Sequence, residues 1–235
     1  MHTSKIDQWL KALPAGAVCP VVSFDPALQR LLKLDFTSAN AGLTAAVIED
    51  TNRFSDYVSA QLADANAVFG VGGYNEHRTV YSRSRVFDAP EGQPSRQLHL
   101  GIDIWGVAGT AVSAPLDGVV QSFAFNSAYG DYGATIILKH LINGTIFYSL
   151  YGHLSLRDIE SLEEEQPIKA GQVFAHFGKP AENGQWPPHL HFQLMLSMEG
   201  KKGDYPGVCT LAEKDHYLNN CPDPDCLLRL MQYAK

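Results

Sequence analysis

The sequence lacks three things that would each have pointed to a different class of protein. No apolar run approaches the ~18 to 20 residues needed to cross a bilayer as a helix, which argues against a membrane-spanning chain. Four cysteines, Cys19, Cys209, Cys221 and Cys226, are too few for a disulfide-stapled scaffold and suit a reducing compartment. Positive charge is also short: 18 Lys plus Arg stand against 25 Asp plus Glu, a net charge of −7, and such a surface repels nucleic-acid phosphates and anionic lipid alike. Neither nucleic acid nor membrane is an expected partner. Near the N-terminus Asp7, Gln8 and Lys11 interrupt what an export signal would keep apolar, so a cytoplasmic location is expected. What the chain does have is 235 residues at 45% hydrophobic and 18% charged, enough for a buried core.

The first third reads as helical. Ser4 can cap a segment with Ile6, Trp9, Leu10 and Leu13 on one face. Asp25-Pro26 opens a second helix, with Leu28, Leu31 and Leu32 as its stripe. A third is expected from Asp50 to Ala63, carrying Phe54, Tyr57, Val58 and Leu62. Gly70, Gly72 and Gly73 then read as a turn, since G-V-G-G lacks the spacing of a dinucleotide fingerprint. From residue 78 the pattern changes to short β-rich runs between Gly, Pro, Asn and Asp. This divides the chain into a helical extension, 1–77, and a mostly β domain, 78–235. The fold class expected is α+β.

Within the β domain, T-I-I-L-K-H-L-I and T-I-F-Y-S-L-Y-G-H-L flank Asn143-Gly144, a pair suited to a type I′ hairpin turn. Simple alternation places Thr145, Phe147, Ser149, Tyr151 and His153 on one face. The stretches A-P-L-D-G-V-V and I-K-A-G-Q-V-F-A echo each other, hinting at a folded-over β sandwich.

Chemistry concentrates in three short stretches, His99-Leu100-Gly101-Ile102-Asp103, Tyr151-Gly152-His153-Leu154 and His189-Leu190-His191-Phe192. Residues two apart on a strand point the same way, about 7 Å apart, so His189 and His191 can serve one site, one on a metal and the other beside it. His99 and Asp103 would lie about 13 Å apart on a straight strand. Gly101 permits a sharp bend that brings them together. Imidazole nitrogens and a carboxylate suit zinc, whose catalytic sites take three protein ligands and a water.

In this order, H-x-x-x-D, then a histidine, then H-x-H, the sequence resembles the M23 family of zinc metallopeptidases, the lysostaphin and LytM type, over residues 95–196. The resemblance implies a mostly antiparallel β sandwich, a folded-over barrel of the lysostaphin kind. It also implies one zinc ion per chain on His99, Asp103 and His191, with His153 and His189 as the catalytic pair. The implied activity is zinc-dependent hydrolysis of a peptide or amide bond, muropeptides being among the candidate substrates. The competing class is a non-catalytic zinc-containing binding or regulatory module of the same fold. A biotinyl or lipoyl carrier is set aside because no Met-Lys-Met or Asp-Lys-Ala turn presents a lysine.

Other signals read more plainly. Tyr151 is expected to be a core or rim tyrosine rather than an orienter of His153. Glu76 and Arg78 lie just upstream of the metal motif, and Asn75, Glu76 or His77 could cover a metal from there, but a hydrated loop followed by an edge strand is the reading adopted. Cys209, Cys221 and Cys226, with His216, lack a C-x-x-C knuckle and are not read as a second zinc site.

Overall fold

In the computed structural model, which describes all residues except 1–9, 11, 12, 15, 89–91, 93 and 143, β structure dominates. Among the described residues twelve strands form: β1 (Leu31–Leu34), β2 (Phe69–Gly72), β3 (Leu98–His99), β4 (Ile102–Trp105), β5 (Ala111–Ser113), β6 (Gly118–Asn126), β7 (Gly133–Ile142), β8 (Thr145–Leu154), β9 (Pro167–Ile168), β10 (Val173–His176), β11 (His189–Met195) and β12 (Val208–Cys209). Eight join one sheet in the order β1-β2-β4-β11-β8-β7-β6-β9, while β10-β5 and β12-β3 form two-stranded ribbons. All pairings in the large sheet are antiparallel except β1 with β2. The mostly antiparallel β architecture is thus as expected. The barrel is not, because the large sheet is open, with β1 and β9 at its edges.

Both faces of the sheet are buried. On one, Ile102, Ile104, Ile136, Leu138, Leu190 and Phe192 pack with Val112 and Ala175 of the β5–β10 ribbon. On the other, Leu98, Ile137, Leu150, Met195 and Tyr205 form one cluster, and Phe36, Phe54, Trp105 and Trp186 another. The period-2 pattern of β11 explains its central place: Leu190, Phe192 and Leu194 enter the first core, leaving His189 and His191 on the opposite face.

The first 77 residues carry the expected helix at Thr51–Asp64. It is capped by the Asp50 side chain, which accepts from the N–H groups of Asn52 and Arg53, and it sets Phe54 against Phe36 and Trp105. Two other expectations there are corrected. Asp25-Pro26 opens only a turn, with Leu28 84% exposed, and the leucines that follow become β1, pairing with β2 and burying Leu31 and Leu34. Tertiary pairing overrides the local helical stripe. The Gly70–Gly73 stretch is largely strand β2 rather than a turn. Its glycines mark close approaches: a Cβ on Gly70 would collide with the Leu34 side chain, and one on Gly72 would meet Arg78 Nη2 at 2.5 Å. The Ser4–Leu13 segment lies mostly outside the described residues.

The hairpin of β7 and β8 forms as expected, Ile142 pairing with Thr145 and Gly144 at φ +78°; Asn143 lies outside the described residues. Its far end departs from simple alternation. Ala134 faces Leu154 but Ile136 faces Tyr151, so β8 holds one extra residue there, a bulge with His153 at φ +62°. A bulge re-aims the side chains beyond it. Tyr151 therefore stays in the core with Phe147, its hydroxyl accepting from Ser149 Oγ at 3.1 Å, while His153 turns to the opposite face. The two do not share a face.

Candidate active site

Neighbouring strands β4 and β11 build most of the site by register alone. His191 lies opposite Asp103 and His189 opposite Trp105, so carboxylate and imidazoles rise from one face of one strand pair. Trp105 stacks on His189 with ring centroids 3.8 Å apart and planes 15° apart. His99 arrives from the β3–β12 ribbon. The chain leaves that ribbon at Leu100-Gly101 to enter the large sheet, the bend that the sequence required. A Cβ on Gly101 would stand 2.6 Å from His191 Cε1, so glycine is also needed there for the His191 ring to seat.

His99, Asp103 and His191 are brought together with their donor atoms nearly equidistant. His99 Nε2 and His191 Nδ1 are 3.0 Å apart, and Asp103 Oδ1 lies 3.0 Å from His191 Nδ1 and 3.2 Å from His99 Nε2. Among the described residues this is the one group of three or more His, Cys, Asp or Glu placed to hold a metal; Cys209, Cys221, Cys226 and His216 are not assembled into another.

The partners behind these rings decide what faces inward. His99 Nδ1 is 3.0 Å from the Gly73 carbonyl, which can only accept, so that nitrogen carries the proton and Nε2 is bare. His191 Nε2 is 3.0 Å from Gln193 Oε1, and the Gln193 amide is oriented by donating to the Pro206 carbonyl at 3.1 Å; Nδ1 of His191 is bare in turn. Two imidazole lone pairs and a carboxylate oxygen thus converge with no proton between them. A cation satisfies that arrangement. Zinc bonds nitrogen and oxygen at about 2.0 to 2.1 Å, so donors of a tetrahedral site stand roughly 3.3 Å apart, close to the observed triangle.

His153 and His189 stand beside the triad, their ring centroids 4.1 Å apart. His153 Nδ1 is held by the Asn183 carbonyl at 2.8 Å and His189 Nδ1 by the Pro187 carbonyl at 2.7 Å. Each therefore keeps Nε2 as a free acceptor; among the described residues neither Nε2 has a hydrogen-bond partner. Both rings line an open cleft, together with Asp103, His191, Tyr132 and the aromatic wall of Tyr81, Phe87 and Trp186. Burial, reinforced by the neighbouring His189 ring, holds His153 well below the usual imidazole range. Burial likewise pushes His189 and His99 down to about 4. These imidazoles are neutral at pH 7, the form that can accept a proton or ligate a metal.

Those shifts carry a stability consequence. An unfolded chain protonates these histidines near pH 6.5, whereas the metal-free fold resists doing so until about pH 4 for His99 and His189, so the unfolded state binds more protons in between. The melting temperature of the metal-free protein is expected to be flat above about pH 6.5 and to fall as pH drops toward 4. His189→Gln should shallow that slope in scanning calorimetry, and an unchanged slope would remove His189 from the account.

Two contributors escaped the sequence reading. Gln193 sits two residues beyond His191 on the same face of β11, a spacing that could have exposed it. Arg78 is marked in the sequence only by its place just upstream of the metal motif, which assigns it no role. Asn75 and His77 are exposed and neither they nor Glu76 enter the triad, whereas Arg78, 1% exposed, donates through Nη1 to Asp103 Oδ2 and through Nε to Glu76 Oε2. The stretch read as a hydrated loop is instead bound against β3, with His77 bridged to Leu98.

Residues 97–204, which hold the whole triad and both flanking histidines, match peptidase family M23. The match covers a little under half of the chain. The chain is 30% identical over 122 residues to an L-Ala–D-Glu endopeptidase of Bacillus subtilis, covering 50% of this chain and 35% of the relative. It is 30% identical over 99 residues to an uncharacterized metalloprotease of Haemophilus influenzae, covering 42% and 19%. The chain thus spans about a third and a fifth of these curated relatives. Among solved structures, the catalytic domain of the antimicrobial peptidase lysostaphin from Staphylococcus simulans aligns at 22% identity with a TM-score of 0.42, covering 74% of this chain and 97% of that one. The M23 segment begins two residues before His99, so β1, β2, the Thr51–Asp64 helix and Arg78 all precede it.

Proposed function

We propose that the chain is a zinc-dependent hydrolase of peptide bonds, acting on peptides of peptidoglycan origin. The observation that carries this reading is the convergence of three lone pairs, from His99, Asp103 and His191, beside two neutral imidazoles whose free nitrogens line the same cleft. A zinc ion held by that triad would supply Lewis-acid polarisation of the scissile carbonyl and acidify water in the cleft. The protein's own groups do the rest. His153 Nε2 and His189 Nε2 are placed to accept the proton of the attacking water and to return one to the leaving amine; whichever is protonated can donate a hydrogen bond to the developing oxyanion. The carbonyls of Asn183 and Pro187 fix both rings in the tautomer that leaves Nε2 available. Tyr81, Phe87 and Trp186 give the same cleft an aromatic wall. The wall-peptide substrate class is supported by the M23 match and by the name of the Bacillus relative.

Purified protein is expected to contain about one zinc per chain, since three ligands and one water complete a single site, and to cleave soluble muropeptides in a mass-spectrometric screen that also includes amidated small molecules. Stoichiometric zinc with no cleavage of any member would favour the binding-module reading. Absence of bound metal after loading and dialysis would refute the metal site altogether.

A further inference from the structure

The strap between β2 and β3 is bound to the segment that starts the site. The Asn75 N–H donates to the His99 carbonyl, the His99 N–H to the Glu76 carbonyl and the Arg78 N–H to the Gln97 carbonyl, each at 2.9 Å. The strap lies outside the M23-matched residues, yet it supplies the outer contacts of two triad members. Gly73 accepts from His99 Nδ1–H. Arg78 occupies the second oxygen of Asp103, Nη1 to Oδ2 at 2.5 Å, while Glu76 receives its Nε–H at 2.6 Å. The guanidinium is 1% exposed and is seated against the bare α-carbon of Gly72, where a Cβ would intrude to 2.5 Å from Nη2.

We propose that Arg78 is a positioning residue of the metal site, clamping Asp103 so that only Oδ1 is offered to the ion, with Glu76 as the counter-charge that keeps the clamp compatible with a cation. This rests on the zinc reading above. A carboxylate can bind an ion through one oxygen or two, and its choice depends on what holds the second oxygen. In this site Oδ2 is committed to a charge-assisted bond, the strongest class of side-chain hydrogen bond. An arginine beside a divalent ion would by itself cancel the charge of Asp103. With Glu76 on its far side, the three side chains sum to one negative charge, and the cation still meets a net attraction. Gly72, Glu76 and Arg78 thus form a device for fixing coordination number, built from chain that precedes the M23 segment.

The test compares the full chain with Arg78→Lys, which keeps the charge but loses the planar fork, and with Glu76→Gln, which leaves Arg78 in place without its counter-charge. Zinc affinity is read by chelator competition, and geometry by the visible absorption of the cobalt(II)-loaded protein, which is intense for four-coordinate and weaker for five-coordinate ions. Arg78→Lys is expected to bind zinc about 10- to 100-fold more weakly, the usual effect of losing an outer-shell partner, with a weakened cobalt band as Asp103 offers both oxygens. Glu76→Gln is expected to lose affinity with the band retained. A packing role for Arg78 would lower the melting temperature of the metal-free protein and leave the cobalt spectrum as it was. If the parent binds zinc and both variants match it in affinity and spectrum, the clamp is refuted while the zinc reading stands. A parent that binds no metal refutes both.

Discussion

Changing His191 to alanine is expected to release the metal and to bring hydrolysis down to background. The variant would retain only His99 Nε2 and Asp103 Oδ1 of the triangle, one protein donor short of a catalytic zinc site. The loss should exceed the ~10- to 100-fold that follows removal of an outer-shell partner. His191 is also the residue on which the surroundings converge: Gln193 Oε1 accepts from its Nε2, the Tyr132 ring lies 5.2 Å away, and Gly101 is bare to admit it. Some destabilisation of the metal-free fold therefore accompanies the substitution, and Asp103→Asn serves as a companion that removes a charged donor while preserving volume. Elemental analysis after dialysis reads both. Full stoichiometric zinc in His191→Ala would take that residue out of the ligand set.

Loss of the His153 imidazole should produce the opposite separation, zinc retained and turnover reduced by ~10²- to 10⁴-fold, the contribution typical of a positioned acid or base. The backbone makes the design of this experiment specific. At φ +62° the residue occupies the left-handed region that β-branched and most other side chains avoid but asparagine tolerates. His153→Asn keeps the bulge while removing the imidazole, whereas His153→Ala adds a backbone penalty. Both variants should lose turnover to a similar extent, and the asparagine variant should melt at the higher temperature. Parental turnover in His153→Asn would eliminate the proton-transfer role, and loss of zinc would recast His153 as a ligand.

How far this site is legible in the sequence depends on the distance over which each placement is decided. The pairing of His189 with His191 needs only the two-residue period of a strand, and the approach of His99 to Asp103 needs only a glycine between them; both are local and both are present. His153 reaches the cleft by a route that local alternation does not show, since the extra residue in β8 is visible only against its partner β7. The leucines at 31–34 and the glycines at 70–72 look like helix and turn in isolation, and they become strands because each completes the other's ladder. Arg78 meets Asp103 across 25 residues of chain and two different elements, and no periodicity records that encounter.

The adjacency of β4 and β11 also fixes when the site can exist. Asp103 and His191 are 88 residues apart in the chain and His99 and His191 are 92 apart. Their meeting closes a long loop, and the chain must give up that loop's conformational freedom for β4 and β11 to pair. A polypeptide still on the ribosome and short of residue 191 holds two of the three donors and cannot complete the triangle. On the zinc reading, metal capture would need β4 and β11 to be paired first, and an ion on the completed triad would stabilise the folded protein by mass action, to an extent set by its free concentration over its dissociation constant.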